Sequence, residues 1–174
     1  MTDEQSARKI ARLLSDPANT ENVAKAYLLL GLDAEERLDW ENAIEQYRRV
    51  IELAPEDVIV RYFGYNNRAY ALLQLRRFEE AEAHGIAALE VDDGRHNAYK
   101  NLGLAYQALE QPVTAAEYFI NASFRNPEDK RAWLHLQQLL IRDPSLLAEA
   151  PEVAEEMEAM RKYYAANGGV PSLN

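Results

Sequence analysis

A chain of 174 residues is long enough to bury a core without staples, and 48% hydrophobic with 28% charged residues is the composition of a folded protein. The absence of cysteine excludes disulfides, thiol chemistry and cysteine-ligated metals. With 19 Lys and Arg against 29 Asp and Glu, the net charge of −10 argues against nucleic acid and anionic membranes as partners, since both are held mainly by cations.

The opening segment MTDEQSARKIARLL starts acidic and lacks an apolar stretch of signal-peptide length. No apolar run approaches the roughly 20 residues of a membrane span, so the expected location is cytoplasmic. Ala7, Ile10, Ala11 and Leu14 predict a short helix over about 4–15, stopped by Asp16-Pro17. A pattern of small and aromatic residues then begins: Tyr27, Leu30, Gly31, Ala34, Trp40, Ala43, Tyr47 and Pro55, over about 24–57. It returns over about 62–95 as Tyr65, Ala69, Leu72, Phe78, Ala81 and Ala88. A third copy over 96–129 reads Tyr99, Leu102, Gly103, Tyr106, Ala115, Phe119, Ala122 and Pro127. Trp133, Leu136 and Leu140 start a fourth over 130–143, which Asp143-Pro144 interrupts.

Small residues at matching positions let two helices approach closely, aromatics fill the gaps, and Pro55 and Pro127 stop a helix before the next begins. The middle copy departs from this pattern with Arg68 for a leucine, Gly85 for an aromatic and Asp93 for a proline. Ala43 and Ala81 are 38 positions apart, against 34 from Ala81 to Ala115. The surplus falls in VIVRYFGY (58–65) and predicts a longer first helix in the second copy, by about one turn. From Pro151, the apolar stripe Val153, Met157, Met160 and Tyr164 predicts a helix over about 151–166, stopped by Asn167-Gly168-Gly169. Glu152, Glu155 and Glu156 near its start suit the helix dipole. That helix is expected to cap the last repeat; the alternative is a dimerisation helix. A loose tail is expected over 168–174.

These residues, best matched in NAYKNLGLAYQ, TAAEYFINASFRNPED and LDWENAIEQYRRVIELAPED, resemble the tetratricopeptide-repeat (TPR) signature, a 34-residue helix–turn–helix unit. The resemblance implies an all-α TPR solenoid in one domain, 1–167, with about three repeats, a partial fourth, and capping helices at both ends. A unit alone leaves an apolar face bare, so stability has to come from stacking.

His84, His96 and His135 are distributed over three helices, with no pair at the i, i+4 spacing of a helical metal site, and the glycines form no phosphate-cradling loop. No catalytic, cofactor or metal residues are therefore assigned, and the reading is a non-catalytic interaction module. The TPR resemblance implies a concave surface lined by the first helix of each repeat. Helical geometry counted from the small packing residue places Asn66, Asn67 and Tyr70 there in the second repeat. Asn97, Lys100, Asn101 and Leu104 follow in the third, and Arg131, Leu134, His135 and Gln138 in the partial fourth. The first repeat offers Leu28, Leu29 and Leu32, expected to pack under the N-terminal helix through Ile10 and Leu14 or to form an open apolar patch.

Asparagine amides donate and accept, which suits a peptide backbone, and Arg131 suits a carboxylate. The expected partner is a protein or peptide, with the chain an adaptor or scaffold, monomeric or homodimeric. In part the set resembles the carboxylate-clamp TPR domains that grip acidic chaperone tails. Asn101 and Arg131 match that pattern, whereas His135 stands for a second arginine and Tyr70 or Leu104 for another asparagine. The alternatives are a chaperone or co-chaperone-like TPR protein, handling a secretion substrate or a chaperone tail, and a self-assembling scaffold.

Overall fold

A computed structural model describes residues 3–169 and Pro171. Ten helices and no strand occur among the described residues. The chain divides into two compact units, Met1–Asp92 and Asp93–Asn174.

The first unit contains α1 (Asp3–Leu13), α2 (Thr20–Glu36), α3 (Trp40–Leu53), α4 (Val58–Gln74) and α5 (Phe78–Val91). Side chains start three of them: Asn19 Oδ1 accepts from the Asn22 N–H, Asp39 Oδ1 from Asn42, and Asp57 Oδ1 from Ile59 and Val60. Each such cap satisfies backbone donors that have no partner within the helix. Packing runs in chain order, α1 on α2, α2 on α3, α3 on α4 and α4 on α5. The α2–α3 contact is close because Gly31 has no side chain: a Cβ there would lie 2.3 Å from Tyr47 Cε1. Gly64 does the same for α4, where a Cβ would meet Val50 Cγ1 at 2.8 Å. The unit's core is correspondingly rich in alanine, with Ala34, Ala43, Ala71 and Ala81 around Tyr47, Ile44 and Leu72. Leu28 packs against this core. Leu29 is half-buried, and Leu32 and Leu14 are exposed, so the three leucines do not act as one set under α1. At 17 residues α4 exceeds the first helix of the next pair by a turn, as its extra residues predict, but only equals α2.

The second unit contains α6 (His96–Ala108), α7 (Pro112–Arg125), α8 (Arg131–Arg142), the single turn α9 (Leu146–Glu149) and α10 (Pro151–Ala166). Gly103 repeats the device of Gly31, since a Cβ would lie 2.5 Å from the Phe119 ring. Prolines open α7 and α10 at positions where the missing N–H costs nothing. The stripe Val153, Met157, Met160 and Tyr164 is buried, α10 packs on α7, and the Tyr164 ring meets Trp133 at 5.3 Å. The face from which a dimerisation helix was the alternative is thus covered within its own unit, leaving Glu152, Glu155, Glu156 and Glu158 outward. Of the tail expected over 168–174, only Gly168, Gly169 and Pro171 fall among the described residues.

One turn recurs in three helix pairs. Leu38, Arg76 and Glu110 take positive φ of 59°, 60° and 59°. The next N–H reaches back five residues: Asp39 to the Ala34 carbonyl, Arg77 to Leu72, and Gln111 to Tyr106, at 2.9–3.0 Å. This is a Schellman closure. Its last residue is also the cap of the following helix. Glycine ordinarily fills the left-handed position, and here none does.

Candidate functional site

In the first unit, α4 carries the predicted polar residues, and they are bound into the interior. Asn66, only 5% exposed, donates through Nδ2 to Asn67 Oδ1 at 2.9 Å. Asn67 in turn hydrogen-bonds the Tyr47 phenol, and Tyr47 donates to Glu35 Oε1 at 2.7 Å. The chain of bonds crosses α4, α3 and α2. Burial pushes the Glu35 carboxyl above its ordinary range, opposed by the Tyr47 hydroxyl. Burial also raises the Tyr47 phenol, helped by the charge of Glu35. Tyr70 is half-buried, edge-on to Trp40 at 5.9 Å. Nearby, Arg68 occupies the position where a leucine is usual, and burial lowers its pKa. Burial first, then the Arg68 charge, push His84 down to about 4, so it is neutral at pH 7.

In the second unit, α6 and α8 bring cations together. Lys100 is 8% exposed; burial lowers its pKa first, then the Arg131 charge, against an opposing pull from Asp129. Asn101 is 3% exposed and Asn97 half-buried. His135 stacks on Phe119 at 5.5 Å. Burial and the Lys100 charge lower its pKa, so its imidazole is neutral at pH 7. Arg131 is 62% exposed in its side chain, but its guanidinium is engaged: Nε donates to Asp129 Oδ1 at 2.8 Å and Nη2 to Asp129 Oδ2 at 2.6 Å. Asp129 also accepts the Arg131 backbone N–H at 3.2 Å and lies 2.9 Å from His96 Nε2. Hydrogen bonding to Arg131 holds its carboxyl well below the usual carboxylate range.

Helical periodicity alone misjudges the depth of these positions, because Asn66, Lys100 and Asn101 are buried. It misses Asp129 and His96. Asp129 has a readable signal, an aspartate two residues before an N–H at a helix start, the geometry of an Asx turn. Among the described residues, no group of three His, Asp or Glu side chains is placed to hold a metal ion, and no helix is long and apolar enough to cross a membrane.

Helix pairs closed by one recurrent turn and packed on small residues define a helical-repeat protein. No protein-family model matches the chain. It is 26% identical over 163 residues to small glutamine-rich tetratricopeptide repeat-containing protein 2 of Saccharomyces cerevisiae, covering 91% of this chain and 46% of that one. The TPR domain of Arabidopsis OM64 has a TM-score of 0.66 and 26% identity, over 71% of this chain and 99% of that one. The second TPR domain of human RPAP3, solved in complex with the HSP70 peptide SGPTIEEVD, has a TM-score of 0.60 and 25% identity, over 71% of this chain and 98% of that one. The chain is similar in sequence to tetratricopeptide-repeat proteins and shares their helical-repeat fold. It spans less than half the length of the curated relatives it matches.

Proposed function

We propose that this chain is a non-catalytic protein-interaction module, an adaptor, whose α6/α8 face holds an acidic segment of a partner peptide. The observation that carries this reading is Lys100, a nearly buried ammonium beside Arg131 in a protein of net charge −10. A desolvated cation gains most from an incoming carboxylate, because the attraction strengthens as water is excluded. Asn97, Asn101 and His135 supply hydrogen-bonding groups on the same face. On α4, the half-buried Asn67 and Tyr70 make a second candidate polar face for peptide-backbone contacts, with Asn66 buried behind it. The RPAP3 domain, with its bound acidic peptide, supports a co-chaperone-like role. The acidic, cysteine-free composition supports a cytoplasmic protein that does not bind nucleic acid.

The test is calorimetric titration of the full chain with SGPTIEEVD and with a neutral analogue in which its three acidic side chains and its C-terminal carboxylate are amides. Lys100→Ala and Arg131→Ala should each weaken binding of the acidic peptide about tenfold, the size of one lost charge-assisted bond. Equal affinity of wild type and both variants would remove the α6/α8 face from the mechanism.

A further inference from the structure

An arginine meant for a partner's carboxylate is here already holding one of the chain's own. Asp129 takes two parallel N–H bonds from the Nε/Nη2 edge of Arg131, the fork-to-fork arrangement that a ligand carboxylate would use. It is held in place by the Arg131 backbone N–H and by His96. The carboxylate is therefore fixed from the start of α8 and from α6.

We propose that Asp129 is a built-in competitor: it occupies the arginine fork and sets both the affinity and the charge preference of the α6/α8 face. An incoming carboxylate has to displace Asp129 from the Nε/Nη2 edge. The inference rests on the reading that this face holds an acidic peptide, and its mechanism lies in the Asp129–Arg131 pair.

The experiment is a double-mutant cycle on the full chain, titrating SGPTIEEVD and its neutral analogue into wild type, Asp129→Asn, Arg131→Ala and the double variant. Asp129→Asn should tighten the acidic peptide about tenfold, the scale of one charge-assisted bond, and leave the neutral analogue unchanged. In the Arg131→Ala background the gain should fall below about twofold, because the competition is for that guanidinium. Asp129→Ser keeps a side-chain acceptor for the Arg131 backbone N–H and should reproduce the gain, which guards against a folding artefact of the amide. If the gain survives in the Arg131→Ala background, Asp129 acts only as a distant negative charge and the competitor is refuted. It is refuted equally if neither Asp129 variant binds the acidic peptide more tightly than wild type. In that case the peptide-binding reading still stands wherever Arg131→Ala weakens binding, and fails with it where Arg131→Ala has no effect.

Discussion

Substituting Gly31 by alanine adds one methyl group at the point where α2 lies on α3. The new Cβ would sit 2.3, 2.7 and 2.8 Å from Cε1, Cζ and Cδ1 of Tyr47. Carbon atoms pack comfortably at about 3.5–4.0 Å, so the ring would have to retreat by about 1 Å or more. It has nowhere to go: Tyr47 is fully buried and its hydroxyl is bonded to Glu35 and to Asn67. Overpacking costs about 1–3 kcal/mol. Straining the Tyr47–Glu35 bond adds about 1 kcal/mol, and the better helix propensity of alanine returns about 1 kcal/mol. The net loss is about 1–3 kcal/mol, or about 2–12 °C in Tm for a chain of this length, read by circular dichroism melts. The same substitution in a Tyr47→Ala background should instead stabilise by about 1 kcal/mol, because only the propensity term survives. A Gly31→Ala protein as stable as wild type would refute the close-approach argument.

Glu35→Gln tests the buried polar chain. Burial raises the folded pKa, so the wild type loses stability as pH rises from the ordinary carboxylate range through that higher value. The variant should gain on wild type by about 0.5 kcal/mol at pH 7, after discounting for partial exposure, and show no gain at pH 3. Urea melts at the two pH values read it, and a pH-independent difference would contradict it. Asp129 behaves oppositely: its carboxyl is depressed, so its stabilisation is present above the ordinary carboxylate range and disappears as pH falls through the depressed value. Asp129→Ala should cost about 1–3 kcal/mol at pH 7, shrinking in acid, and equal losses at pH 7 and pH 2 would contradict the ion pair. Met160→Ala, at a fully buried position of α10, should cost about 2–3 kcal/mol and speed amide exchange throughout α10. Unchanged exchange there would mean that the stripe does not anchor the helix.

The repeat is legible because its contacts demand particular residue types. Gly31 against Tyr47 and Gly103 against Phe119 admit no side chain on one partner and need a ring on the other, so the pairs recur in the sequence. The α10 stripe is legible for a related reason, since one buried face of a helix imposes a 4-3-4 spacing. Depth is not legible in this way. A helical wheel gives the direction of Asn66, Lys100 and Asn101, whereas their burial depends on how closely neighbouring helices approach. The Asp129–Arg131 pair escapes because it joins a loop to a helix start, outside any periodicity. Gly64 escapes because its contact with Val50 joins one helix pair to the next and lies outside the recurring signature.

The Schellman turns at Leu38, Arg76 and Glu110 give the molecule an engineering reserve. A side chain in the left-handed region costs about 1–2 kcal/mol, whereas glycine there costs about 0.5–1 kcal/mol of chain entropy. Each exchange for glycine therefore gains up to about 1 kcal/mol, and Leu38, 70% exposed, loses no packing by it. The three turns belong to different helix pairs, so their gains should add. A backbone carrying all three would tolerate destabilising changes on its recognition surface, Asp129 included, and let that surface be redesigned while the scaffold stays folded.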